Sequence, residues 1–370
     1  MKIIHCSDLH LDSKMESNLS AEQAKNRREE LLNTFAKMVD YANENDVSVI
    51  MIAGDMFDKP QIRKSAKIRV LEEIRIHSCI DFLYLRGNHD NADFFSDLEE
   101  EDFPKNLKLF NNKDWTSYEY SLGIKKLKIS GRELTDENSM TLAANLVLDS
   151  ADLNIVMLHG QEREGNIKVP ENELIKLNDF KNKNIDYLAL GHIHSYRRER
   201  LDDRGIYCYS GCLEGRGFDE CGEKGFVLLE VNDKKGINDT FIPFSYRKLH
   251  TIDIEIDKDT TIREIKEKME ESVKNISNKD LIKFILKGKT TLDISDSTVE
   301  AIKNDFSDRF YFVKIYNETS VYINYEDYKN DRSLKGEFVR LVQKENLKNE
   351  KDRNEIVEMG IKAILGEDVF

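Results

Sequence analysis

The chain has 370 residues, 39% of them hydrophobic, and a formal charge of −14 from 56 basic and 70 acidic side chains. That length allows two domains with a sizeable core, and the acidic balance excludes the broad basic surface that grips nucleic acid non-specifically, though not a local site. No apolar run reaches the roughly 20 residues of a membrane span, and five cysteines without regular pairing argue against a disulfide framework. The start, MKIIHCSDLH, turns polar at once and carries no signal-peptide pattern. A soluble, cytoplasmic protein with no membrane attachment is expected.

In chain order, MKIIHCS is a short strand candidate. SAEQ at 20–23 fits a capping box, and Leu31, Leu32, Phe35, Met38, Val39 and Ala42 then mark one face of a long helix. VSVIMIA (47–53) predicts a strand buried on both faces. A helix follows near 62–77, then strands at 80–86, 127–130, 153–158 and 185–190, with helices between some of them. Beyond 195 the pattern changes to short strands with glycine turns, as in YCYSGCLEGRGF. Together these predict a layered α/β domain with a mixed central sheet over 1–246. From 247 to 325, alternating Ile252, Ile254 and Ile256, a second capping box TIRE (261–264), and the runs LIKFILKG and FYFVKIY around a helix near 296–306 predict a small α+β unit. Residues 326–370 predict two amphipathic helices, one lined by Leu334, Phe338, Leu341 and Val342, the other by Ile356, Met359, Ala363 and Ile364, joined by the charged linker QKENLKNEKDRN.

Five polar clusters sit where apolar runs end: DLH (8–10), GDMFD (54–58), GNHD (87–90), LHG (158–160) and GHIH (191–194). In open α/β sheets ligands gather at the carboxyl ends of strands, so these clusters can converge on one crevice. Five of the eight histidines, His10, His89, His159, His192 and His194, fall within them. Carboxylates, an amide and imidazoles together suit divalent Mn, Fe, Co or Zn better than Ca or Mg. Cys208, Cys212 and Cys221 lie close in sequence but form no CxxC pair, so they are taken as small buried residues rather than a metal site. His5, His77 and His250 lie outside the clusters and are taken as structural.

The ordered set DxH, GDxxD, GNHD, H and GHxH resembles the calcineurin-like metallophosphoesterases over about residues 1–246. Within them the chain is similar to the DNA double-strand-break repair nucleases that include bacterial SbcD, and SGCLEGRGFDECGEKGF (210–226) resembles the YhaO-like subgroup. The resemblance implies central mixed β-sheets flanked by helices, a small α+β cap domain and a C-terminal helical tail. It implies two divalent ions, with manganese expected, bridged by Asp55. Asp8, His10 and His194 would complete one metal site, and Asn88, His159 and His192 the other. Two ions roughly 4 Å apart can activate a hydroxide for in-line attack at phosphorus. His89 would protonate the leaving alkoxide, with Asp90 orienting its imidazole. Asp58 is expected to cap the following helix or brace its loop rather than to ligate a metal. Arg86, and the RRERLDDR segment, are candidates for phosphate contacts. The partners implied are DNA, an SbcC-like coiled-coil ATPase docked on the tail, and a second copy of the chain. The alternative is a stand-alone metallophosphodiesterase acting on a nucleotide or other small phosphodiester, consistent with the net acidity. A non-enzymatic scaffold is a third possibility, disfavoured by the intact ligand set.

Overall fold

The computed structural model describes the chain except residues 16–18, 59–61, 91–93, 97, 163–168, 293, 323, 346–349 and 366–370. The core of the expected tail linker therefore lies outside the described residues. Two compact units, Met1–Lys248 and Leu249–Phe370, emerge from the contacts.

In the first unit the chain runs β1 (Lys2–Cys6), α1 (Ala21–Glu44), β2 (Val47–Ala53), α2 (Lys64–Ile76), β3 (Asp81–Leu85), β4 (Leu107–Leu109), β5 (Thr116–Ser121), β6 (Lys126–Gly131) and β7 (Leu153–His159). It continues through α3 (Leu177–Phe180), β8 (Tyr187–Gly191), β9 (Arg197–Arg200), β10 (Ile206–Tyr209), β11 (Gly225–Asn232) and β12 (Gly236–Pro243). The capping box opening α1 is in place: Gln23 N donates to Ser20 Oγ, and Ser20 N donates to Gln23 Oε1.

The strands form two six-stranded mixed sheets rather than one, in the orders β12-β11-β1-β2-β3-β4 and β5-β6-β7-β8-β10-β9. Within the first, β1 to β4 are parallel; within the second, β6, β7, β8 and β10 are parallel. Alternation along β2 shows why the strands are apolar throughout. Val49, Met51 and Ala53 pack against Ile129, Ile155, Met157 and Ala189 of the other sheet, while Ile50 and Ile52 meet Phe35, Val39 and Val70 of α1 and α2. The outer face of the second sheet, with Val156, Leu158, Leu188 and Leu190, is covered by Leu142, Leu146 and Phe180. Among the described residues, the helices expected around β6, β7 and β8 reduce to turns, a short 3-10 turn at Glu171–Glu173 and the four-residue α3.

The second unit is a parallel three-stranded sheet, β13 (Leu249–Ile256), β14 (Leu281–Thr290) and β15 (Phe312–Val321), in sequence order. The crossover helices α4 (Ile262–Ser272) and α5 (Asp296–Ser307) bury Ile265, Met269, Ile302 and Phe306 against Ile254, Ile282 and Phe284. Helices α6 (Leu334–Lys344) and α7 (Glu350–Leu365) pack together in the same unit, and α7 contacts β15. Their buried stripe is Val339, Val342 and Val357 with Phe338 beside it. Leu334, Leu341, Ile356 and Met359, expected to share the packed faces, are instead exposed. A pair of helices this short has room for one narrow seam, and these residues fall outside it. Among the described residues, no helix is long and apolar enough to cross a membrane.

Candidate metal centre

The parallel strands bring their carboxyl ends to one place. Asp8 and His10 follow β1, Asp55 follows β2, and Asn88 and His89 follow β3. His159 closes β7, and His192 and His194 follow β8. Four of these residues adopt positive φ: Asp8 (+52°), His10 (+42°), Asp55 (+52°) and His192 (+98°). Such conformations cost on the order of 1–3 kcal/mol each and persist only where surrounding structure enforces them. Here the loops cross-brace. Asp8 N donates to Gly54 O and His10 N to Asp55 O, both at 3.0 Å. His192 N donates to Asp8 Oδ1 at 3.0 Å, and His89 N to Asp55 Oδ1 at 2.9 Å. Gly54 (φ +92°) allows a close approach, since a Cβ there would lie 2.0 Å from His159 Nδ1.

All seven expected ligands converge, in two halves around the buried Asp55. In one half, His10 Nε2 lies 3.7 Å from Asp55 Oδ2 and 3.3 Å from His194 Nε2, which is itself 3.7 Å from Asp8 Oδ1. In the other, His159 Nε2 lies 3.4 Å from Asp55 Oδ2 and 3.0 Å from Asn88 Oδ1. The His192 ring meets His159 edge to face with centroids 5.4 Å apart. Donor atoms of Asp8, His10 and His194, and separately of Asp8, Asp55 and His159, lie within 4.8 Å of one another.

Burial and mutual charge shape the protonation of this cluster. Burial pushes the Asp8 carboxyl up. Burial, then Arg216, pushes His10 down to about 3, and burial, then His159, pushes His192 down to about 4. Both imidazoles are thus neutral with lone pairs available, as metal ligation requires. For His159 burial opposes the charge, but the Asp55 carboxylate outweighs it and pushes the imidazole up to about 10. Burial would raise Asp55, yet His159 holds it below the usual carboxylate range. A cation between them would take over the role of that proton. Two buried carboxylates, an amide oxygen and lone-pair imidazoles facing each other across 3–4 Å fit a pair of divalent cations.

The expected pairing of Asp90 with His89 is corrected. Asp90 accepts from the backbone N–H groups of Gly87, Met56 and Phe57 at 2.9, 3.3 and 3.1 Å, so it staples the 54–58 loop to the 87–90 loop. The carboxylate facing His89 belongs to Asp58, with Oδ1 3.2 Å from His89 Nδ1. Their hydrogen bond holds Asp58 down to about 2 and raises His89. Ser13 Oγ donates to the other Asp58 oxygen at 2.8 Å.

Arg86 is also corrected. It makes a bidentate pair with Glu133, at 2.8 and 2.6 Å, and so is committed elsewhere. The RRERLDDR arginines are likewise engaged: Arg197 with Glu162 and Glu199, Arg198 with Asp239, Arg200 with Asp203 and Arg204 with Asp186. The arginine at the site is Arg216, with Nη1 3.7 Å from Asp58 Oδ2. Its neighbour Glu220 faces His194 Nδ1 at 2.7 Å and accepts from Arg216 N at 2.7 Å. Histidine ligands usually donate their second nitrogen to such a partner. Sequence reasoning missed Arg216, Glu220 and Glu173, which touches Asn88. Arg216 and Glu220 stand four residues apart in the SGCLEGRGFDECGEKGF stretch, a signal that resemblance alone could have brought forward. Cys208 and Cys212 are buried free thiols outside the metal-compatible groups of the described residues.

A two-sheet α/β sandwich carrying carboxylates, an amide and imidazoles at the strand ends defines a metal-dependent phosphoester hydrolase. The family model for calcineurin-like phosphoesterases matches residues 1–196, and the chain belongs to that family. It is 26% identical over 348 residues to the DNA double-strand break repair protein Mre11 of Sulfolobus acidocaldarius, covering 89% of this chain and 85% of that one. It is 24% identical to the Mre11 of Saccharolobus solfataricus, covering 78% and 76%. It is also 24% identical to the uncharacterized metallophosphoesterase YhaO of Bacillus subtilis, covering 68% of this chain and 61% of YhaO.

Proposed function

We propose that the chain is a manganese-dependent DNA phosphodiesterase, an exo- and endonuclease subunit of an SbcCD-like repair complex acting on chromosomal DNA in the cytoplasm. The observation that carries this reading is the clustering of Asp8, His10, Asp55, His159 and His194, with Asn88 and His192 against His159, beside the His89–Asp58 pair. The similarity to the Mre11 proteins over most of both chains favours DNA as the substrate.

Bound divalent ions supply Lewis acidity toward water and the phosphoryl oxygens. The chain's residues do the rest. Asp55 and Asp8 would supply the carboxylate ligands, and Asn88, His159, His192, His10 and His194 would complete the two halves of the cage. His89 stands at the rim, half-exposed, where its protonated imidazole can give a proton to the leaving oxygen. Asp58 accepts from Nδ1 and stabilises the protonated ring, which leaves the Nε2 proton as the one to give. Arg216, braced by Glu220, is the cation positioned to meet a phosphate oxygen.

In this reading 247–325 is the cap domain and 326–370 the segment that docks an SbcC-like coiled-coil ATPase; the exposed Leu334, Leu341, Ile356 and Met359 supply apolar surface for it. A homodimer through the first unit completes the assembly. The second reading, a stand-alone phosphodiesterase for a nucleotide or small diester, is favoured by the net charge and by the carboxylate partners of the surface arginines. Degradation of linear duplex DNA with Mn2+, measured alone and with the ATPase, separates the two. Turnover of bis-p-nitrophenyl phosphate or nucleotides with intact DNA left behind would select the second.

A further inference from the structure

Glu173 belongs to none of the five clusters, yet its carboxylate meets two of their members. Asn88 Nδ2 donates to Oε1 at 3.1 Å, and Oε2 lies 3.9 Å from His192 Nε2. A carboxylate can only accept, so this contact decides which end of the Asn88 amide turns toward it. The amide oxygen is left pointing inward, 3.0 Å from His159 Nε2. With Nε2 of His192 turned to Glu173, Nδ1 is the nitrogen left for the cluster.

The mount of Glu173 is tied to the site. It ends a single 3-10 turn, Glu171–Glu173, behind β7. Gln161 N donates to Glu173 O at 2.7 Å, and Ile175 N donates to Gln161 O at 2.8 Å. A Cβ on Gly160 would lie 2.5 Å from Glu173 O, so the glycine next to His159 admits this backbone contact. The Glu173 side chain is 21% exposed, shielded enough for its hydrogen bond from Asn88 to hold a preferred geometry, with His192 facing it across 3.9 Å.

We propose that Glu173 is the positioning residue of the Asn88–His159–His192 half-site. It holds Asn88 and His192 in ligating orientation and sets the affinity for that ion alone. Glu220 stands in the same relation to the other half through His194. The inference rests on the two-metal reading above.

The test titrates metal-free full-length protein with Mn2+, by calorimetry and by the electron paramagnetic resonance signal of free Mn2+. The wild type binds two ions. Glu173→Ala binds the first as the wild type does and the second roughly 10- to 100-fold more weakly. Glu173→Gln, which keeps an acceptor for Asn88 Nδ2, recovers most of that loss. Two ions bound to Glu173→Ala with unchanged affinity would overturn the proposal and leave the two-metal reading standing. Equal weakening of both ions would assign Glu173 to general support of the pocket and overturn it too. Glu173→Gln as weak as Glu173→Ala would make the residue a ligand, again against the proposal. A wild type that fails to take two ions would remove the two-metal reading itself.

Discussion

Replacing Asp58 with Asn tests the division of labour at the rim of the site. The substitution keeps the shape and one acceptor oxygen but removes the charge 3.2 Å from His89 Nδ1. A hydrogen bond to a charged group contributes about 1.5–3 kcal/mol. The His89 side chain is 44% exposed and that of Asp58 25%, so solvent screening takes about half of this. A loss of about 0.8–1.5 kcal/mol of transition-state stabilisation corresponds to roughly 4- to 12-fold in kcat. It falls unevenly across substrates. An alkoxide leaving group, as in DNA, needs the proton; a p-nitrophenolate is stable as an anion and does not. Steady-state kinetics on duplex DNA and on bis-p-nitrophenyl phosphate should therefore diverge, the first slowed and the second nearly unchanged, with Mn2+ content at the wild-type level. His89→Ala should widen the same divergence to about 10²- to 10⁴-fold. Equal loss on both substrates, or loss of metal, would refute the assignment of His89 as acid and Asp58 as its holder.

Glu220→Ala removes the 2.7 Å partner of His194 Nδ1. Bound Mn2+ measured by atomic absorption after gel filtration should fall from two toward one per chain, the affinity of the weakened ion dropping at least about 10-fold. Chelation should destabilise the first unit. Ligand at 100 times its Kd adds about 2.7 kcal/mol, and at this size each kcal/mol moves Tm by about 2–4 °C. Differential scanning calorimetry with and without EDTA should thus show a fall of about 5–10 °C that returned Mn2+ reverses; an unchanged Tm would count against ions in the pocket. Leu341→Asp alters an exposed residue of α6, 57% accessible. Hydrolysis of a small diester should be unaffected and co-purification with the coiled-coil ATPase abolished, and persistent co-purification would remove α6 from the docking surface.

Much of the site was legible because each motif is a local event. An apolar run ends, a polar residue follows within one or two positions, and a parallel strand necessarily delivers it to the same edge as its neighbours. Hence the clusters that carry Asp8, His10, Asp55, Asn88, His159, His192 and His194 could be located without coordinates, while the choice of those seven as ligands came from the family resemblance. Both capping boxes were equally local, and α1 and α4 start where Ser20 and Thr261 place them. The phase of the tail helices was not, because Leu334 and Val339 are both apolar and only the partner helix selects which is covered.

The roles around the ligands depended on distance across the fold. GNHD places Asp90 next to His89 in sequence, but a loop that turns its backbone N–H groups inward claims the Asp90 carboxylate, and Asp58 reaches the imidazole from another strand end. Arg86 looked available until Glu133, 47 residues on, proved to hold it. Arg216, Glu220 and Glu173 lie outside the five clusters, and they reach the site only because two sheets stacked face to face bring their loops beside the crevice. Sequence by itself determined which residues the strands carry to their ends, since that follows from polarity and backbone periodicity a few residues at a time. Only the tertiary structure decided which carboxylate meets which nitrogen, because those contacts form between segments whose approach no local pattern encodes.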